Sequence, residues 1–359
     1  CLQAAFTLFR TAQYQGPDLG FKPKHGYSIV PEWKACADGL FEPRMDLMTI
    51  VRTYGMLKLC DGRWEMSQLE PHVAIRLKQL FPKISKQSAG PFHFANDAIT
   101  SADLDWFTLR YPLKMSDEDR ESLTSGRLAF EFAQAERERI LLPSFIAPKY
   151  LGLKQGKALR NYQAQAVELI RSRKRLMIGD EGGLGKTVIA AGFLASEPQA
   201  LPAAVVCDPH MQRQWLEKLS EFTELQVHVI KKARAYELPP AQVYIFRISQ
   251  IGGWSDIFAT GFFKSVIYDE PQSLRTGEVT SKGAAARVLT DHTQYAVGLS
   301  ATPIYNYGLE VWSVMSFIDP SALGLFDDFR REWVDLNGRI KDPKALGTYL
   351  REQHAMIRR

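Results

Sequence analysis

The chain has 359 residues and a mass of 40.7 kDa, with 45% hydrophobic and 24% charged residues, which is typical of a soluble globular protein of two or three domains. Four well-separated cysteines exclude a disulfide scaffold, and no apolar run reaches the roughly 18 residues of a membrane span. The net charge is +5, and the whole excess lies in residues 143–359, a mild bias toward an anionic partner.

The first 142 residues predict a small α+β domain. Residues 1–45 show no sustained hydrophobic period, so we predict an irregular segment there. Apolar residues around the turn pair Asp61-Gly62 indicate a short hairpin, and Ser116 is a favourable N-cap before acidic residues. The predicted elements are a hairpin within 46–67, a helix from Pro71 to Pro82, a strand at 92–94 and a helix from Ser116 to about residue 140.

From about residue 150 short apolar runs alternate with helical stretches. Such alternation predicts β-α-β units and an open parallel sheet with helices on both faces. The predicted strands are 176–178, Ala203–Cys207, 227–230, 243–246, 266–268 and Tyr295–Leu299. We therefore expect a second, α/β domain over residues 143–359.

A glycine-rich loop follows the first of these strands: Gly179-Asp180-Glu181-Gly182-Gly183-Leu184-Gly185-Lys186-Thr187. Glycines let the backbone direct N–H groups at phosphate oxygens, and the following helix N-terminus favours negative charge. Lys186 can reach terminal phosphates, and the Thr187 hydroxyl can ligate Mg²⁺. The generic pattern has glycine where Asp180 stands. The loop predicts an ATP site, against the alternative of a glycine-rich turn with a chance Lys-Thr pair.

Two carboxylates, Asp269 and Glu270, come directly after the strand at 266–268. Ligands of α/β sheets bind at this end of the strands. Asp269 is suited to hold Mg²⁺ through its water shell, and Glu270 to orient and polarise an attacking water. Alone, the pair is more typical of a solvated strand end, but the phosphate loop upstream favours the catalytic interpretation.

These segments, in this order, resemble the Swi/Snf-type branch of the superfamily-two helicases, which are ATP-driven duplex-DNA translocases and remodellers. That family's loop commonly reads Asp-Glu-x-Gly-Leu-Gly-Lys-Thr, which accounts for Asp180. The resemblance runs from residue 159 to the end and implies a RecA-like fold. Its other matching segments are Leu159-Arg160-Asn161-Tyr162-Gln163, Val205-Val206-Cys207-Asp208-Pro209 with Trp215, Gly298-Leu299-Ser300-Ala301-Thr302-Pro303, 304–310, 317–320 and Met356-Ile357-Arg358-Arg359.

The resemblance also implies roles for single residues. Gln163 would read the adenine edge, and Thr187 and Asp269 would hold Mg²⁺. The residues expected to contact ATP are Arg160, Gln163, Asp180, Gly182, Gly183, Leu184, Gly185, Lys186 and Thr187. The residues expected to take part in catalysis are Lys186, Asp269, Glu270 and Gln272.

The acidic box departs from the family's Asp-Glu-Ala-His, since it reads Asp269-Glu270-Pro271-Gln272. A carboxamide can still form hydrogen bonds at every pH, so we expect Gln272 to couple to Ser300 and Thr302. By the same resemblance, duplex DNA would be contacted through its phosphate backbone, with little sequence specificity. The candidate DNA contacts are Pro209, His210, Ser249, Gln250 and Lys282.

Members of this family use two RecA-like lobes, and we find no segment of the second lobe in this chain. We therefore expect the N-terminal part of a longer motor, with weak hydrolysis by itself and an N-terminal domain that can dock a protein partner. Two alternatives stay open: the motor of a restriction or phage-defence enzyme, and a catalytically silent, nucleotide-gated binding module. We expect a cytoplasmic location in a prokaryote or phage, or a nuclear one in a eukaryote, and no membrane partner.

Overall fold

The computed structural model describes residues 52–81, 84–85, 87–150, 152–303 and 307–359. The predicted irregular segment 1–45 and the segment 304–306 lie outside the described residues. The chain divides into two compact units, Cys1–Thr124 and Ser125–Arg359. This division falls inside a helix that ends beside the boundary predicted at residue 142.

The described part of the first unit contains a three-stranded antiparallel sheet in the order β1-β2-β3. The turn at Asp61-Gly62 joins β1 to β2, as predicted, because both residues adopt a positive φ. Buried Trp64, Leu77 and Phe107 bring the sheet and helices into one apolar core. Its elements are β1 (Met56–Cys60), β2 (Arg63–Ser67), α1 (Pro71–Leu80), β3 (Phe92–Ala95) and α2 (Ala98–Arg110).

Helix α3 (Asp117–Leu141) spans the division between the units. Its start confirms the predicted cap, since the Ser116 hydroxyl accepts a hydrogen bond from the Asp119 N–H at 3.1 Å. Helix α2 was not predicted. Its apolar residues do not mark one face: Leu104 is buried, whereas Leu109 is 77% exposed. The hydrophobic period of α2 is therefore weak.

The second unit is built on a seven-stranded sheet in the order β10-β4-β9-β8-β5-β7-β6. All its neighbouring strands are parallel, which confirms the predicted fold class. Its strands are β4 (Arg175–Ile178), β5 (Ala203–Cys207), β6 (Val227–Val229), β7 (Val243–Arg247), β8 (Ser265–Asp269), β9 (Tyr295–Leu299) and β10 (Met356–Ile357). Its helices after α3 are α4 (Asn161–Arg173), α5 (Lys186–Ser196), α6 (Gln212–Phe222), α7 (Ser255–Ala259), α8 (Ser281–Asp291), α9 (Gly308–Ile318), α10 (Phe326–Trp333) and α11 (Pro343–Glu352).

Helices cover both faces of this sheet, so its central strands are apolar on both sides. In β5, Ala204 and Val206 belong to one buried cluster, whereas Ala203, Val205 and Cys207 belong to the other. The period of two residues along a strand explains this alternation. Among the described residues, no helix combines the length and apolar character needed to cross a bilayer.

Candidate nucleotide-binding site

The strand order brings the predicted segments to one edge of the sheet. Strand β9 lies between β4, which leads into the phosphate loop, and β8, which ends in the acidic pair. Because all three strands are parallel, their carboxyl ends meet at the same edge. A cleft of about 360 Å³ opens there. Its walls are formed by Gly183, Gly185, Lys186, Thr187, Asp208, His210, Met211, Gln214, Asp269 and Glu270.

The phosphate loop has a backbone that depends on glycine. Gly183 and Gly185 adopt φ of +84° and +74°, in the left-handed region that other residues rarely enter. A Cβ atom on Gly185 would lie 2.7 Å from Nε2 of Gln163. The Lys186 ammonium donates to the carbonyl oxygens of Asp180 at 2.8 Å and Glu181 at 3.2 Å. It is therefore held across the loop, at the start of helix α5.

Helix α4 supports the loop from the side. The Tyr162 hydroxyl and the Gln163 amide both donate to the carbonyl of Leu184, at 3.0 and 3.2 Å. The other end of the Gln163 carboxamide accepts from the Arg160 N–H at 3.0 Å, which caps the helix. Gln163 is buried and Arg160 is exposed. Both ends of Gln163 are thus bonded within the chain, and its contact with adenine stays a prediction.

Asp180 has its side chain inside the protein and not in the cleft. The residue is fully buried, and its carboxylate pairs with the Arg359 guanidinium at 3.3 Å. Burial raises the pKa of this carboxyl, while Arg359 acts in the opposite direction. Its contribution to the loop therefore runs through its backbone carbonyl and this ion pair.

The acidic pair lies opposite the phosphate loop. Asp269 ends β8, and its Oδ2 accepts a hydrogen bond of 2.8 Å from the indole N–H of Trp215. Burial raises the pKa of Asp269, and the Trp215 bond opposes that rise. The Glu270 N–H donates to the Leu299 carbonyl at 2.8 Å, and Glu270 adopts φ of +49°. A non-glycine residue in this conformation stores local strain, which is common at functional sites.

Gln272 joins the acidic pair to the segment that follows β9. Its Nε2 donates to Oε2 of Glu270 at 2.7 Å and is also bonded to the Ser300 hydroxyl. The Thr302 hydroxyl and carbonyl lie 3.3 and 3.4 Å from the same nitrogen. The Thr302 N–H donates to the Ser300 hydroxyl at 3.0 Å. One carboxamide therefore touches both partners predicted from the sequence, Ser300 and Thr302, and also Glu270.

The cleft has the shape and chemistry for a magnesium-bound nucleotide. Cβ atoms built on Gly182 and Gly183 meet nothing within 4 Å, so the loop backbone faces open space. Lys186 and the N-terminus of α5 favour phosphate, while Thr187 and Asp269 offer oxygen ligands. Among the described residues, no group of three or more His, Cys, Asp or Glu side chains could hold a metal by itself.

The predicted DNA contacts are placed unevenly. Pro209, His210 and Ser249 are exposed, and Lys282 is half-buried at the start of α8. Gln250 is buried, and its side chain is bonded to the Arg247 N–H at 3.0 Å. His210 lines the nucleotide cleft itself. Of the five, Gln250 has the least free surface for a phosphate.

Several residues of the cleft were not predicted from the sequence. Asp208 follows β5 at the same sheet edge, and Met211 and Gln214 come from the next turn and helix. The carboxylate after an apolar strand was a signal for Asp208, since the same signal identified Asp269. Trp215, which the sequence singled out only as part of a family segment, has a fully buried side chain that is bonded to Asp269.

Comparison with solved structures supports this fold. This chain resembles the SWI2/SNF2 ATPase core of Sulfolobus solfataricus, solved in complex with double-stranded DNA, with a TM-score of 0.51 at 22% identity. The match covers 60% of this chain and 47% of that chain. A second structure, of the Sulfolobus solfataricus SWI2/SNF2 ATPase core domain, matches with a TM-score of 0.50 at 22% identity and covers 60% of this chain and 46% of that chain.

Sequence comparison gives the same family. An uncharacterized ATP-dependent helicase of Mycoplasma pneumoniae is 26% identical over 197 residues, which are 50% of this chain and 19% of the relative. The human TATA-binding protein-associated factor 172 is 26% identical over 46% of this chain and 10% of its own length. This chain thus spans about a fifth or less of these two relatives. The family model of the SNF2-related domain matches residues 162–359, so the chain belongs to the SNF2-related family.

Proposed function

We propose that the second unit is the ATP-binding lobe of a motor that moves along duplex DNA. The single observation that carries the proposal is the cleft in which Lys186 and Thr187 face Asp269 and Glu270. Those four residues have the chemistry that phosphoryl transfer from a magnesium-bound nucleotide requires. The SNF2-related family relation supports ATP as the nucleotide.

Each residue then has a physical task. The N–H groups at the start of α5 and the Lys186 ammonium bind and orient phosphate oxygens. Thr187 and Asp269 hold the magnesium shell, and the Trp215 bond fixes one oxygen of Asp269 so that the other can face the cleft. Glu270 accepts a hydrogen bond from water and orients it. When bound, Mg²⁺ neutralises charge on the phosphates.

Gln272 would transmit the state of the cleft. A change at Glu270 alters the hydrogen bonds that Gln272 shares with Ser300 and Thr302. Those residues follow β9, so the signal passes to the segment between the sheet and α9. The contacts of Gln272 favour an active site over a silent module, since its amide group is bonded to both Glu270 and the Ser300 hydroxyl.

Hydrolysis at a useful rate would need a second RecA-like lobe that closes over the cleft. An arginine supplied to the phosphates is worth roughly 10³–10⁵ in rate in related phosphoryl-transfer systems. The match to less than half of the SWI2/SNF2 core chain supports this part of the proposal. Exposed Ser249 and half-buried Lys282 would contact DNA phosphates without reading sequence.

The experiment is a steady-state ATPase assay with and without duplex DNA, on a protein that joins this chain to a second RecA-like lobe. We expect duplex DNA to stimulate turnover and Lys186→Ala to abolish it. Lys58→Ala, at an exposed lysine of the first unit, is the matched control and should keep full activity. Turnover that ignores duplex DNA, or that survives Lys186→Ala, would contradict the proposal.

A further inference from the structure

The last strand of the second unit is hydrogen-bonded along the phosphate loop. The N–H groups of Met177, Gly179 and Glu181 donate to successive alternate carbonyls of 355–359, at 2.9, 2.7 and 3.1 Å. The first bond belongs to the edge of β4, and the other two lie within the loop itself. The pairing of β10 therefore continues past the sheet and fixes the backbone that precedes Lys186.

A side chain adds to this backbone contact. The Arg359 guanidinium lies 3.3 Å from the Asp180 carboxylate and 3.5 Å from Oε1 of Gln165. It also lies over the Tyr162 ring, 5.7 Å from the ring centre. Asp180 is fully buried, and its second oxygen has no hydrogen-bond partner. A buried carboxylate without a counter-charge is costly, so the position of Asp180 depends on Arg359.

Asp180 in turn determines where the loop lysine lies. Its carbonyl accepts from the Lys186 ammonium at 2.8 Å, and its carboxylate accepts from Arg359. Tyr162, beneath Arg359, donates to the Leu184 carbonyl further along the loop. Arg359 thus reaches the loop at Asp180 directly and at Leu184 through one intermediate side chain. The guanidinium is not among the groups that line the cleft, so its effect on a nucleotide would run through the loop.

We propose that Arg359 is a positioning residue for the nucleotide site, and that the loop conformation and the pairing of 355–359 are coupled. The proposal rests on the proposed function, since the ligand is ATP. Coupling of this kind is reciprocal. A nucleotide that stabilises the loop conformation also stabilises the pairing of 355–359, and a change that weakens this pairing also weakens nucleotide binding.

The first experiment measures ATP affinity by calorimetry in the full chain with Mg²⁺. We expect Arg359→Ala to weaken binding by at least tenfold and Arg359→Lys by less. Arg358→Ala is the matched control, because Arg358 is the exposed neighbour, and it should bind as the parent does. Adding Asp180→Asn to Arg359→Ala should recover part of the lost affinity, since it removes the unpaired buried charge. Urea unfolding of each variant separates a change in ATP affinity from a general loss of stability.

The second experiment needs no variant. Hydrogen exchange of the parent chain, with and without saturating ATP and Mg²⁺, should slow at the Glu181 amide and across 355–359 together. If the parent chain does not bind ATP, the proposed function fails. If it binds ATP but Arg359→Ala binds equally well, or ATP leaves exchange at 355–359 unchanged, only the coupling proposal fails. If Arg359→Ala does not fold, Arg359→Lys and the exchange measurement still decide.

Discussion

His354 makes the stability of the second unit sensitive to acid. It precedes β10, it is 6% exposed, and its Nδ1 has no hydrogen-bond partner. Burial, with the nearby charges of Arg137 and Arg173, lowers the pKa of His354 to about 4. Arg173 is itself paired with Asp319 at 2.8 Å, so that carboxylate is already shared. The folded protein therefore favours the neutral imidazole.

The sign and size of the effect follow from this pKa. Above about pH 6.5 the imidazole is neutral in both the folded and the unfolded chain, so protonation of His354 does not lower the free energy of unfolding there. Between pH 6.5 and 4 the His354 imidazole is protonated in the unfolded chain but stays neutral in the folded chain, so the free energy of unfolding falls as pH falls. The full loss is about 3 kcal/mol, from the pKa difference. Below pH 4 this group adds no further loss.

The substitution His354→Asn tests this effect. Asparagine is chosen because His354 adopts φ of +51°, which asparagine tolerates. Urea unfolding of parent and variant at several pH values, taken as a difference, cancels the titration of shared carboxylates. We expect the parent to lose about 2–3 kcal/mol more than the variant between pH 7.5 and 4.5. NMR of the imidazole gives the pKa directly. A pKa near 6.5, or a difference that does not change with pH, would refute this reasoning.

Substitutions at three further residues test the cleft. Gly185→Ala should lower stability by about 1–2 kcal/mol and weaken ATP binding at least tenfold, since the new Cβ meets Gln163; denaturation and calorimetry measure both. Trp215→Phe removes a hydrogen bond to Asp269 that is worth roughly 1.5–3 kcal/mol, and it raises the pKa of Asp269 further. Because a protonated Asp269 cannot hold magnesium, the magnesium dependence of ATP binding should be lost at a higher pH than in the parent as the pH is lowered. Gln272→Ala should leave ATP affinity within about twofold but slow DNA-stimulated ATPase roughly tenfold in the two-lobed protein. Gln272→His should restore the ATPase rate. Equal ATPase rates for the parent, Gln272→Ala and Gln272→His would contradict the coupling role.

The alternation of apolar runs predicted the parallel sheet, because strands buried on both faces leave a strong signal. The phosphate loop and the acidic pair were predictable for a related reason, since their chemistry is contained in a few consecutive residues. Their meeting at one sheet edge followed once the strands were known to be parallel. Strand β10 was not predicted, because its two residues carry too little pattern.

The contacts that hold the cleft could not be obtained from the sequence. The bond from Trp215 to Asp269 joins residues 54 positions apart, and the pair of Asp180 and Arg359 joins residues 179 apart. No local period reports such contacts, which depend on the order of strands in the sheet. His210 shows the same limit, since its position in the sequence does not distinguish a residue of the nucleotide cleft from one that contacts DNA.

In the proposed function, Lys186 and Asp269 act on one magnesium-bound nucleotide. Equilibrium binding of ATP to this chain, with Mg²⁺ and with EDTA in its place, tests it most directly. We predict binding that Mg²⁺ strengthens, that Lys186→Ala weakens under both conditions, and that Asp269→Asn weakens only when Mg²⁺ is present. Binding that is unchanged in Lys186→Ala, or an equal loss in Asp269→Asn with and without Mg²⁺, would contradict the account.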